Sequence, residues 1–114
     1  GAVSAGYACG AAITYMLGGN FNQIANTIIN TLANTSGIIC DGAKPSCAAK
    51  ISSALDAALL AHTMSMHDDV FHADEGIVKD DLEKTIRAVG YIGREGMKST
   101  DIEVLNIMID KVCP

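Results

Sequence analysis

Hydrophobic residues recur along this chain at the spacing of helices rather than strands. The clearest stretch carries Phe21, Ile24, Ala25, Ile28, Ile29 and Leu32, the i, i+3, i+4, i+7, i+8, i+11 positions of one helical face. Asn20 precedes it as N-cap, with Gln23 three residues on as its capping-box partner. Asn22, Asn26, Thr27, Asn30 and Thr31 fill the other side, polar but uncharged, and predict a helix edge bonded to a neighbour. Before it, residues 2–17 predict a helix of small residues, with Gly6 and Gly10 among alanines. An interior glycine costs a helix up to about 1 kcal/mol against alanine, so two of them imply close approach by another backbone. Gly18 and Gly19 suit its C-terminal cap.

The loop 34–44 leads to Pro45, whose missing N–H is harmless in a first helical turn. A third helix is predicted from there to about Met66, with Ile51, Leu55, Ala58, Leu59 and His62 along one side. Residues 67–79 carry His67, Asp68, Asp69, His72, Asp74 and Glu75 and predict an exposed loop. A fourth helix is expected with Asp80 as cap, Glu83 at N3, and Leu82, Ile86 and Val89 facing inward. Gly90, Gly93 and Gly96 are expected to thin and end it. Thr100 with Glu103 then starts a fifth helix carrying Ile102, Leu105, Ile109 and Val112. No useful strand alternation, repeat or low-complexity stretch interrupts the pattern. The predicted class is all-α, with about five helices.

Composition narrows the function classes. The chain has 114 residues, 49% of them hydrophobic, which argues against disorder. Eight basic against 13 acidic residues give a net charge of −5 with no basic stripe, arguing against nucleic acid as a partner. Four unevenly spaced cysteines are too sparse for a disulfide scaffold. Ala2–Leu17 is apolar, but Gly18, Gly19 and Asn20 stop it short of the ~20 residues a membrane span needs. It also lacks the cationic start of a signal peptide. Residues 1–40 contain no charged side chain, and residues 41–66 add only Asp41, Lys44, Lys50 and Asp56. A small free-standing domain spreads charge over its surface. The expectation is a piece of a larger polypeptide, or a subunit with a large interface.

The chemistry concentrates in Cys40-Asp41-Gly42-Ala43-Lys44-Pro45-Ser46-Cys47. Two thiols bracket a tight loop leading into a helix start, where backbone N–H groups and Lys44 favour the thiolate that ligates metal. The competing reading is two half-buried thiols of no consequence. Two cysteines do not fill a tetrahedral zinc site or a four-cysteine iron–sulfur set. Cys9 reads as a buried, inert thiol on an apolar helix, and Cys113, next to last, as a bystander. A zinc-stabilised fold would have to draw on Cys9, His62 or Cys113. His62, His67 and His72 are spaced by five, which does not align them on one helical face. Arg87, Arg94 and Lys98 read as helix-surface ion-pair partners.

The run from Gly37 to Lys50 resembles the cluster-binding segment of the iron–sulfur L-serine dehydratase α-chain and L-cysteine desulfidase family. Further blocks resemble it too: Asp74-Glu75-Gly76-Ile77-Val78 with Thr85-Ile86-Arg87, and Gly90-Tyr91-Ile92-Gly93-Arg94-Glu95-Gly96-Met97 with Thr100-Asp101. The resemblance covers nearly the whole chain. It implies the C-terminal part of a larger helical catalytic domain, a 4Fe–4S cluster, and a cytoplasmic lyase of amino-acid catabolism. That lyase forms pyruvate and ammonia from a small amino acid. Cys40 and Cys47 would be cluster ligands, with a further ligand upstream of Gly1, so that this piece by itself is expected to be inactive. Lys44 would contact substrate or cluster, and Asp41 would orient the loop by an Asx-type bond to backbone N–H. The dehydratases have a longer loop between their two cysteines, opening Cys-Asp-Pro, so the short form here is closer to the desulfidase branch. The expected partners are the remainder of the parent chain and further copies of it. The reading from a different class is a non-catalytic helical interaction or assembly module with residues 1–40 as its interface.

Overall fold

The computed structural model describes residues 1–112. Five α-helices form among them: α1 (Ala2–Met16), α2 (Phe21–Thr35), α3 (Pro45–Met66), α4 (Leu82–Tyr91) and α5 (Met97–Met108), with a π-helical segment, Ile92–Gly96, between the last two. The all-α expectation holds. None of these helices is long and apolar enough to cross a membrane. Helices α1, α2 and α3 pack on one another, α4 leans on α2, and α5 continues outward from the π-segment. The result is elongated, 50 × 29 × 16 Å.

The core is built from small and hydroxylated side chains rather than large aliphatic ones. α1 buries Ala2, Gly6, Gly10 and Thr14, a stripe of one residue per turn. α3 buries Ala54, Ala57, Ala58, Ala61 and Ser65. These two stripes allow the close approach that glycine in α1 anticipates: a Cβ at Gly6 would lie 2.9 Å from both the Cβ and the carbonyl oxygen of Ala54. The predicted side of α3 is therefore corrected in part: Ala58 is buried and His62 bonds to Thr14. Ile51, Leu55 and Leu59 are exposed, because α3 turns its alanines toward α1 and α2.

α2 keeps its capping box, Asn20 Oδ1 accepting from Gln23 N at 2.8 Å and Gln23 Oε1 from Asn20 N at 2.9 Å. On its polar side Thr27 and Asn30 bond to neighbouring elements as expected and, with Thr31, are buried, whereas Asn22 is exposed. Thr27 Oγ1 lies 2.8 Å from Thr14 Oγ1 of α1 and 2.6 Å from Ser65 Oγ of α3. Thr14 Oγ1 in turn meets His62 Nδ1 at 2.8 Å. This hydroxyl chain ties three helices together where aliphatic packing is thin. Thr27→Val keeps the volume but deletes the central hydroxyl. It is expected to cost about 1–2 kcal/mol in urea unfolding, whereas exposed Thr63→Val stays within about 0.5 kcal/mol.

Asn30 is 1% exposed and anchors the segment after α3. Its Nδ2 donates to Asp69 O at 3.0 Å and its Oδ1 accepts from Phe71 N at 3.1 Å. The expected loop 67–79 is thus exposed over most of its length but pinned to α2, with Val78 buried.

Two features of the last third depart from expectation. The cap of α4 is Asp81, whose Oδ1 accepts from Lys84 N at 2.7 Å; Asp80 instead pairs with Lys84 Nζ. Asp81 is the residue with extended backbone, which places its carboxylate over the first turn. Ile86 is exposed on this helix, with Val89 half-buried. The glycines do not end it either. Gly96 keeps a right-handed helical backbone, so the chain passes through the π-segment into α5, which begins at Met97 rather than Thr100. α5 stops at Met108, short of Val112.

Candidate functional site

The loop after α2 returns across the N-terminal end of α1 and enters α3. Gly42 turns it at φ +92°, a left-handed conformation that glycine adopts without strain. Lys44 N then donates to Gly42 O at 2.8 Å, a three-residue γ-turn, and Cys47 N donates to Lys44 O at 2.8 Å in the first turn of α3. Pro45 occupies the first helical position, as expected.

This path encloses a cavity of about 260 Å³. Its walls are residues 1–3 at the start of α1, residues 38–43 of the loop, and Cys47 and Lys50 on the first turns of α3. Cys40 and Cys47 therefore line one cavity, both as free thiols, Cys40 exposed and Cys47 half-buried. A second cavity, of about 230 Å³, shares Val3, Ile38 and Cys40 with the first and reaches the π-segment and α5 through Gly93, Met97 and Asp101. Cys40 stands between the two. Single π-turns inside α-helices recur at functional sites, and here the Gly-Arg-Glu-Gly block forms one beside a cysteine wall.

Asp41 and Lys50 are joined across the first cavity, Lys50 Nζ donating to Asp41 Oδ1 at 2.7 Å. The Lys50 ammonium, by hydrogen bond and then by charge, holds the Asp41 carboxyl below the usual carboxylate range against the opposing effect of desolvation; Ser46 adds a smaller contribution in the same direction. The Asp41 carboxylate thus ties the loop to α3 through Lys50. Lys44 is exposed, caps α3 through its backbone alone, and does not line the cavity. The basic side chain that lines it is Lys50. Its signal in the sequence was its place three residues after Cys47, which puts both on one face of α3.

The other sequence candidates are scattered. Cys9 is exposed, which corrects the expected burial: the stripe that α1 turns inward is Gly6, Gly10 and Thr14, and Cys9 lies off it. His62 is held by Thr14, and His67 Nδ1 lies 2.8 Å from Thr63 O in its own helix. Arg87 pairs with Glu83, and both Arg94 and Lys98 pair with Glu95, as surface ion pairs. Cys113 lies outside the described residues. Among those residues no group of three or more His, Cys, Asp or Glu side chains is gathered as for a metal ion. The two cavity thiols are soft donors of the kind an iron–sulfur cluster uses, and they fit as part of such a set.

Comparison with known proteins places these observations in a family context. The family described as "Serine dehydratase alpha chain" matches residues 1–106. A UPF0597 protein of Treponema denticola is 57% identical over 109 residues, 96% of this chain and 25% of that protein. UPF0597 proteins of Lachnoclostridium phytofermentans and Finegoldia magna are 56% and 52% identical, over 96% and 97% of this chain and 26% and 27% of theirs. The chain spans about a quarter of the length of the curated relatives it matches. No solved structure matches it.

Proposed function

The chain belongs to the serine dehydratase alpha-chain family, and from that premise we propose that it is the cluster-binding part of a 4Fe–4S lyase. The reaction is β-elimination from L-serine or L-cysteine: a base takes the α-proton as the Cβ–O or Cβ–S bond breaks, water or sulfide leaves, and aminoacrylate hydrolyses to pyruvate and ammonia. The observation that carries the reading is the placing of Cys40 and Cys47 on one cavity at the mouth of α3. These two would hold the cluster, with the remaining ligand supplied from the part of the relatives' length that this chain does not span. When bound, the cluster supplies a Lewis-acidic iron for the β-substituent. Val3 and Ile38 give one side of the cavity an apolar wall, and Cys47 enters it from the first turn of α3.

The short Cys40–Cys47 spacing supports the desulfidase-like branch of the family. The oxygen sensitivity of such a cluster fits a cytoplasmic protein, and the proposed substrate is a small amino acid.

A second reading, a helical assembly module with residues 1–40 as its interface, draws on Tyr15, Met16, Leu17 and Phe21, which are 72%, 79%, 65% and 79% exposed. One assay separates the two. The full polypeptide, reconstituted anaerobically with iron and sulfide, is expected to release pyruvate from L-cysteine faster than from L-serine, and to stop after exposure to air. Serine-driven turnover would move it to the dehydratases. Absence of both iron and turnover would favour the assembly module.

A further inference from the structure

The structure assigns Lys50 as the positioning residue of the two-cysteine site, holding Asp41 so that the loop keeps Cys40 on the cavity that Cys47 also lines. The inference rests on the proposed role of the two thiols, but its geometry is independent of any bound group.

Asp41 directly follows Cys40, and Lys50 sits three residues after Cys47 on the same helix. The 2.7 Å bond between them therefore joins the neighbours of the two thiols across the loop. Covalent chain on one side and ion pair on the other close a ring through both cysteines. Among the described residues Lys50 is the ionic partner of Asp41, with Ser46 adding a smaller contribution. Within residues 40–43 the backbone bond is that of Gly42 O, accepting from Lys44 N. Without the pair, residues 40–43 keep that turn and lose their ionic tie to α3.

Both partners are shielded, their side chains 28% and 36% exposed for Lys50 and Asp41, and both line the cavity. The other pairs among the described residues, Lys84 with Asp80 and Asp81, Arg87–Glu83, and Arg94 and Lys98 with Glu95, each include a side chain more than half exposed. Those contribute little. The Asp41 carboxylate offsets the charge of the Lys50 ammonium, so the pair acts on the loop by position and not by net charge. Lys44 is exposed and does not line the cavity.

The test uses the full polypeptide in three forms, Lys50→Met, Lys50→Arg and Asp41→Asn, each compared with the parent. The first readout is the rate at which iodoacetamide labels Cys40 in the metal-free protein, followed by peptide mass spectrometry with exposed Cys9 as internal standard. Labelling is run at about pH 9.5, above the usual thiol pKa of about 8.5, so that the rate reads release of the loop and not the thiolate fraction; it is expected to rise about two- to five-fold in Lys50→Met and Asp41→Asn, the range that a part-shielded ion pair supports. Lys50→Arg, which keeps the charge and a donor for Asp41, is expected to stay close to the parent. The second readout is iron retained after anaerobic reconstitution, expected to fall in the same two variants and recover in Lys50→Arg. An unchanged Cys40 rate in Lys50→Met, with unchanged thermal unfolding, would overturn the assignment. A raised rate in a protein that binds no iron even as the parent would leave the positioning role standing and remove the cluster reading instead.

Discussion

Cys40→Ser is expected to abolish retention of iron and sulfide by the full polypeptide after anaerobic reconstitution, together with the visible absorption of the cluster. A serine hydroxyl is a hard, protonated donor at neutral pH, whereas iron in a sulfide cluster takes soft thiolate. Loss of an outer-shell partner alone typically costs a metal site about 10–100-fold in affinity, so loss of a direct ligand from a set to which this chain contributes two thiols exceeds that. Cys47→Ser is expected to behave alike, since both thiols line the same cavity. Cys9→Ser is expected to retain full iron, because Cys9 is exposed on α1 and does not line that cavity. Equal iron in Cys40→Ser and the parent would remove Cys40 from the ligand set.

The second large effect concerns Gly6. Alanine there gains up to about 1 kcal/mol of helix propensity. Its Cβ, however, meets the Cβ and carbonyl oxygen of Ala54 at 2.9 Å and the carbonyl carbon at 3.2 Å. Backbone of a packed helix cannot swing aside as a long side chain can, and overpacking of this kind costs typically about 1–3 kcal/mol. The net expectation for Gly6→Ala is a loss of about 1–2 kcal/mol in urea unfolding. Gly90→Ala, with nothing within 4 Å of the new methyl, is expected to gain about 0.5–1 kcal/mol. Opposite signs for the same substitution in two helices would verify that α1 and α3 touch backbone to backbone. α1 also opens the wall of the two-cysteine cavity, so Gly6→Ala is expected to weaken iron retention even in the folded protein.

How much of this was legible in the sequence differs by element. α2 was legible in its extent and its cap, which are local signals, but not in its burial: Phe21 of its apolar face is exposed, while Thr27, Asn30 and Thr31 of its polar side are buried. α3 was legible in extent but not in orientation. Its sequence offers leucines on one side and alanines on the other, and large apolar residues ordinarily mark the inward face. The glycines of α1 reverse that choice: a partner that presents glycine leaves room for alanine, and no room for leucine. The start of α4 was misplaced by one residue, since Asp80 and Asp81 are chemically identical caps and only the backbone conformation distinguishes them. Gly93 and Gly96 looked like helix ends because glycine weakens helices. They continue one because neither adopts the left-handed conformation that would terminate it.

The candidate site divides in the same way. The Cys40–Cys47 spacing, Pro45 at the first turn of α3 and the family resemblance are properties of the amino-acid order, and they identified the thiols that share the cavity. Short-range signals of this kind, caps, periods and motifs within a dozen residues, are set by covalent neighbours and survive without tertiary context. Which lysine lines that cavity was decided by the fold. Lys44 is nearer in sequence to the loop's centre but is exposed and off the cavity, while one turn of α3 brings Lys50 to Asp41. The inward face of α3, the hydroxyl chain through Thr14, Thr27 and Ser65, and the meeting of Cys40 with the π-segment were likewise settled only when helices distant in sequence came into contact. Such choices depend on how closely two backbones approach, and that distance is a property of pairs of elements that no single stretch of sequence contains.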